Sequence, residues 1–271
     1  MRVHFSRSVI VIVVIVVVLA VAISLLVVKL LEQVEPFSAP RAGCTVKTPD
    51  GELDLDVEQA QIAATIAAVA ARRRLPERAA IIAYATAIQE SKLYNLTYGD
   101  RDSVGVFQQR PSQGWGSVKQ IMDPVYSTNR FFAALVKVKN YRKLPIADAA
   151  QAVQRSAGGY AYADHEPNAR ILAAAFTGRV PKAVHCVFPS PASPSPSRRA
   201  DVSEARRALA KALGGTAVPS VKRGWLIATW AVAHADKYGL RRVGFDGAAW
   251  SPASDDWRPD TTFTAREVSF A

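Results

Sequence analysis

The chain has 271 residues, 49% of them hydrophobic, and carries 34 Lys and Arg against 23 Asp and Glu, a formal charge of +11 at pH 7. That length admits one or two domains and that apolar share builds a true core, which excludes a disordered or low-complexity protein. The charge favours acidic partners, but the basic residues are scattered, with clusters only at Arg72-Arg73-Arg74, Arg198-Arg199 and Arg241-Arg242 and no nucleic-acid recognition motif, so nucleic acid is not an expected partner.

Residues 9–28 read VIVIVVIVVVLAVAISLLVV, twenty residues without a charge, long enough to cross a hydrocarbon layer as a helix. The run exceeds the usual apolar segment of a signal peptide, and no small-x-small site directly follows, so an uncleaved anchor is expected over a cleaved leader. Arg2 and Arg7 before the span, against Lys29 after it, place the N-terminus in the cytoplasm. The expectation is a single-pass protein of the cell membrane with its main domains outside. Residues 1–30 are then the cytoplasmic tip and anchor. Residues 31–48, broken by Pro36, Pro40 and Gly43, read as a stalk without regular structure.

A helix is predicted over residues 57–74, with Asp54 or Asp56 available as cap and arginines at the end where the helix dipole favours cations. Pro76 can start the next helix. Its segment 79–88, AAIIAYATAI, is apolar on almost every side, and such a helix is normally covered by other helices. It runs directly into Gln89, Glu90 and Ser91. One carboxylate therefore sits at the mouth of a buried element and is partly desolvated, as the general acid of glycosidic-bond cleavage is.

Residues 97–110 are rich in Gly, Asp and short polar side chains and read as a loop or small hairpin. Pro124 opens a long helix predicted over 125–142, with Phe131, Phe132, Leu135, Val136 and Val138 as its apolar surface, and further helices are predicted over 146–156 and 168–177. Five or six helices with one polar excursion make residues 49–188 a mostly α domain.

Glu90-Ser91 followed by Gly105-Val106-Phe107-Gln108-Gln109 resembles the Glu-Ser and Gly-Leu-Met-Gln signatures of soluble lytic transglycosylases and goose-type lysozymes, in the lysozyme-like superfamily. Ala152-Val153-Gln154-Arg155-Ser156, with Tyr160 and Tyr162 after it, stands where those enzymes carry Ala-Tyr-Asn-Ala-Gly, and the Tyr-Asn pair is replaced. The stretch AIQESKLYNLTYGDRDSVGVFQQRPSQGWGS is similar to a group of actinobacterial membrane-anchored proteins with this domain. The resemblance covers about half the chain, roughly residues 45–188.

The resemblance implies a lysozyme-like fold, peptidoglycan glycan strands as partner and substrate, and no cofactor. It makes Glu90 the catalytic acid. Gln108 and Gln109 would line the cleft, Gly105 would let the backbone approach the sugar closely, and Gln154, Ser156 and Tyr162 would close the far side. Ser91 either orients Glu90 or ends the helix. Trp115, in a Gly-Trp-Gly setting, serves either sugar stacking or core packing. A hydrolase needs a second carboxylate, for which Asp100 and Asp102 are the nearby choices, although Gly-Asp-Arg-Asp is also an ordinary turn composition. A lytic transglycosylase does without one, because its single Glu acts first as acid and then as base on the muramic acid 6-hydroxyl. That route on the MurNAc-GlcNAc bond is the expected activity. The alternatives are a hydrolytic lysozyme and an inactive peptidoglycan-binding or scaffold protein.

Cys44 and Cys186 are the only cysteines, so one intramolecular disulfide is available, clipping the two ends of that domain together. Residues 189–200 hold the proline- and serine-rich PSPASPSPSRR and read as an extended linker. Residues 201–271 then form a small α+β module, with helices over 201–213 and 221–238 and strands over 242–246 and 261–270. This module holds Trp225, Trp230, Trp250 and Trp257, four of the five tryptophans, which suit carbohydrate stacking as well as packing. A protein partner in the wall or membrane would dock here. His234 is its sole histidine, so no metal site is expected, and His165 and His185 receive no catalytic role.

Overall fold

The computed structural model describes residues 7–33, 42–154, 159–188, 200–254 and 256–271. Most of the proline-serine linker and part of the stalk lie outside these. Two compact units are present, residues 1–40 and residues 41–271.

The first unit contains one helix, α1 (Arg7–Gln33). It does not fulfil the expectation of a membrane span. Among the described residues, no helix is long and apolar enough to cross a membrane. The fold class therefore loses its transmembrane element, and the single-pass membrane placement goes with it.

The second unit opens with β1 (Gly43–Thr48) and β2 (Gly51–Leu55), an antiparallel pair whose first strand was expected to be stalk without regular structure. Helix α2 (Val57–Arg72) follows. Its start is held by the Gln59 side chain, whose Oε1 accepts the Asp56 N–H at 2.9 Å. Nine consecutive residues, 62–70, are buried, so over this alanine-rich stretch no face of the helix meets water. Helices α3 (Glu77–Ser91), α5 (Pro124–Leu135), α8 (Val202–Leu213) and α9 (Val221–Ala233) all pack on it. Between α3 and α5 lie a loop, a 3₁₀ turn (Pro111–Gln113) and the short α4 (Val118–Ile121). After α5 come α6 (Ile146–Gln154), a 3₁₀ segment (Gly159–His165) and α7 (Glu166–Phe176). The long helix expected over 125–142 stops at Leu135.

Strand β3 (Val184–Val187) returns to pair with β1, completing an antiparallel sheet of order β2-β1-β3. Cys44 stands opposite Cys186 in that pairing, and the two are disulfide-bonded across a separation of 142 residues. The rest of the chain is α10 (Ala235–Tyr238) and the strands β4 (Val243–Phe245), β5 (Ala248–Trp250), β6 (Arg258–Pro259) and β7 (Ser269–Phe270), in the antiparallel order β6-β5-β4-β7. The strand expected over 261–270 survives only at its last two residues.

The four C-terminal tryptophans are at most 8% exposed, so they pack and none offers a stacking face to a sugar. Trp257 donates its indole N–H to the Val184 carbonyl at 2.8 Å, and Trp250 donates to the Cys186 carbonyl at 3.2 Å. Val184 and Cys186 are two apart on β3, so both carbonyls point off the strand's outer edge, away from β1. The two indoles satisfy that edge and bury it, which joins residues 201–271 to the sheet carrying the disulfide.

Gly178 shows how closely α9 lies. At φ +73°, a Cβ there would collide with the Lys222 carbonyl and come within 2.5 Å of the Leu226 nitrogen, both backbone atoms of α9. Gly178→Ala is therefore expected to cost at least about 1–3 kcal/mol by displacing a packed helix. A chemical denaturation midpoint equal to that of the parent protein would contradict this packing.

His234, 6% exposed, ends α9 stacked on Trp230 with ring centroids 4.0 Å apart. Its Nδ1 lies 2.9 Å from the Trp230 carbonyl, which can only accept, so Nδ1 carries the proton of a neutral ring. Burial pushes its pKa down to about 3, with the nearby Lys237 charge adding to the drop and the carbonyl bond opposing it. The unfolded chain protonates this ring near pH 6.5, so its contribution to stability is full above that pH and is lost as pH falls toward 3. The melting temperature should already decline between pH 6.5 and 5, where carboxylates contribute little. His234→Phe, which keeps a stacking ring, should flatten that decline.

Candidate functional site

Glu90 lies one residue from the end of α3. Residues 79–87 of that helix are buried, and Glu90 is half-buried where the covering ends. The helix stops because Lys92 takes a left-handed conformation at φ 55°, and its N–H satisfies the last carbonyls. Across from Glu90 stands the 3₁₀ segment before α7. Tyr162, 1% exposed, donates its hydroxyl to Glu90 Oε1 at 2.6 Å. No described residue hydrogen-bonds Oε2. One turn away, His165 Nε2 lies 2.8 Å from Gln89 Oε1, a second tie between the same two elements.

Ser91 faces the other way. It is 5% exposed, and its hydroxyl lies 2.8 Å from the Val106 carbonyl and 3.1 Å from the Ala87 carbonyl. It fastens the 104–109 loop to the end of α3 and makes no bond to Glu90. Gly105 has φ +80°, and a Cβ there would stand 3.0 Å from the Ile121 carbonyl oxygen. The close approach it permits is to α4. Gln108 turns its amide back onto the loop, donating to the Tyr98 and Gly105 carbonyls at 3.2 Å each. Gln109 is 2% exposed, donates to the Ser127 carbonyl at 3.1 Å and leaves its Oε1 buried without a partner. Of the two glutamines, only Gln108 is near solvent.

Of the two candidate second carboxylates, Asp100 is solvated and Asp102 is bound into the loop. Asp100 has a side chain 89% exposed and 3.9 Å from Arg101. Asp102 accepts from Arg110 Nε at 2.8 Å, from the Ser112 N–H at 2.8 Å and from the Ser112 hydroxyl at 2.9 Å. The Arg110 guanidinium, then the two Ser112 bonds, hold its carboxyl far below the usual range. It staples the loop onto the 3₁₀ turn.

Gln154, at the end of α6, donates to the Phe107 carbonyl at 2.9 Å, next to the carbonyl that Ser91 holds. It also lines a groove of about 770 Å³, with Trp115, Gln113, Arg130 and Lys137. Glu90 does not line that groove. The loop connects the two, since Val106 is tied to Ser91 and Phe107 to Gln154. Ser156 lies outside the described residues. No cluster of three or more His, Cys, Asp or Glu able to hold a metal is present among the described residues.

Arg130 and Lys137 are groove residues that the sequence did not single out. A signal existed: two cations seven residues apart, separated by Ala133 and Ala134 on the same side of the chain. A helix face that is small between two charges leaves room above it.

No protein-family model matches the chain, and no curated protein matches it.

Because Ser91 is the bolt between α3 and the loop, Ser91→Ala is expected to leave the Val106 carbonyl buried and unpaired, at a cost of about 1–3 kcal/mol. Hydrogen exchange should accelerate at residues 104–109 while α2 amides stay protected. Unchanged exchange in the loop would remove Ser91 from this role.

Proposed function

We propose that the protein cleaves the MurNAc-GlcNAc bond of peptidoglycan as a lytic transglycosylase, with Glu90 as the sole acid-base group. One observation carries the reading. A half-buried carboxylate at the end of a buried helix is held through one oxygen by a buried tyrosine hydroxyl, while of the two nearby acids Asp102 is bound by Arg110 and Ser112 and Asp100 stands in solvent. Resemblance to the Glu-Ser and Gly-x-x-Gln signatures supplies the substrate class.

In the first step Glu90 gives a proton to the oxygen linking the two sugars. The MurNAc C1–O bond breaks, the GlcNAc 4-hydroxyl departs, and positive charge develops at C1. The resulting Glu90 carboxylate then takes the proton of the MurNAc 6-hydroxyl, whose oxygen bonds C1. The product end is a 1,6-anhydro sugar, Glu90 regains its proton, and no water is consumed. Tyr162, bound to Oε1, keeps the carboxyl in one orientation so that Oε2 carries the proton in both directions.

A second reading, a protein that binds peptidoglycan without cutting it, is favoured by the position of the 770 Å³ groove, which Gln154 and Trp115 line and Glu90 does not. Product analysis separates the two. Incubation with purified sacculi should release anhydro-muropeptides detectable by mass spectrometry. Glu90→Gln should abolish them with the melting temperature retained, and Tyr162→Phe should lower kcat by about tenfold to a hundredfold, the loss of one hydrogen bond to a charged group. Equal turnover by the Glu90→Gln protein would defeat the proposal, and binding without product would select the second reading.

A further inference from the structure

The groove between α5 and α6 has a charge imbalance. Arg130 and Lys137 are exposed on its lining, and neither forms an ion pair among the described residues. Arg130 is held in place by donating to the Gly114 carbonyl at 2.9 Å. The half-buried Trp115 follows Gly114 directly, and its carbonyl accepts from Tyr126 Oη at 3.2 Å, so the turn that presents the indole is tied at two points. Amide groups of Gln113 and Gln154 complete the lining. About 770 Å³ lies within the range of sites that hold a small organic ligand.

An aromatic ring, two amides and two unpaired cations together select one kind of ligand. The ring offers a face to a sugar. The amides suit N-acetyl or hydroxyl groups. The cations, Arg130 on α5 and Lys137 just after it, require negative charge at two points. We propose that this groove binds the peptide-bearing part of an acidic glycopeptide, with a sugar ring against Trp115 and the stem-peptide carboxylates on Arg130 and Lys137. The identity of the glycan rests on the reading of Glu90 given above; the demand for a carboxylate-bearing, sugar-containing ligand does not. Gln154 joins the two regions, because it lines the groove while its amide holds the loop segment that Ser91 fixes to the end of α3. A polyol-phosphate polymer would satisfy the cations and leave the indole without a ring to cover.

The test uses Glu90→Gln protein, so that ligand survives, and reads Trp fluorescence and calorimetry with soluble disaccharide-peptide. Binding is expected to weaken as salt is raised. Lys137→Glu, at an exposed side chain, should reduce affinity by about tenfold or more, and Arg130→Ala by a similar factor. The same ligand with its stem carboxylates amidated should bind the parent as weakly as the acid form binds the Lys137→Glu protein. Equal affinity for the two ligands, or for parent and Lys137→Glu protein, would overturn the proposal. So would poly(glycerol phosphate) binding more tightly than the glycopeptide with the same loss on Lys137→Glu. In otherwise native protein, Lys137→Glu should raise KM with kcat kept. If the groove binds as expected while the native protein yields no anhydro product, the Glu90 reading fails and this one stands; if product forms while groove variants keep their affinity and KM, the Glu90 reading stands and this one fails.

Discussion

The second unit is organised by a helix that cannot touch water. Residues 62–70 of α2 make two and a half turns with every side chain buried, so each face needs a covering element. The small side chains of that stretch, mostly alanine, let neighbours come close but contribute little area each, and several helices are needed to dry it. Helices α3 and α5 cover one part, and α8 and α9 from the C-terminal region cover another. The tight Gly178 contact and the two indole bonds to β3 follow from the same demand, because they seat α9 and the small sheet where α2 would otherwise be exposed.

The candidate site lies where that burial runs out. Helix α3 is covered as far as Ala87 and then emerges, so Glu90 sits between a dry core and an open loop. Each group around it is positioned by a bond made for a structural reason. Ser91 holds the loop, Lys92 ends the helix, Asp102 staples the far side of the excursion, and Tyr162 is brought in by the segment that precedes α7. An arrangement built this way is rigid before any ligand arrives, which is what a positioned acid needs.

Charge separates the two halves of the proposed binding region. On the loop that follows α3, Asp102 is paired with Arg110. In the groove beside α5, Arg130 and Lys137 form no ion pair among the described residues and stand beside an indole. An unpaired surface cation costs little in water, so folding does not require these residues to be where they are; a ligand would.

Much of the helical framework was legible in the residues. The period of apolar side chains and the prolines at 76 and 124 mark where α2, α3 and α5 begin, because caps and helix starts are local. The position of Glu90 at the end of an all-round apolar segment is likewise a property of consecutive residues. The short strands were not legible: β1, β2, β3 and β5 are three to six residues long, and their pairing depends on partners as distant as Val187 from Gly43. Nor could spacing say that Gln109 turns inward, that Gly105 makes room for Ile121, or that the C-terminal tryptophans are core. The apolar run of residues 9–28 shows the limit from the other side, since composition proposed a membrane span that no described helix satisfies. By itself the chain determined which segments coil and where one carboxylate leaves a buried helix. Only the tertiary structure decided what that carboxylate meets, because Tyr162 lies 72 residues away and reaches Glu90 through the packing of α7 on α3.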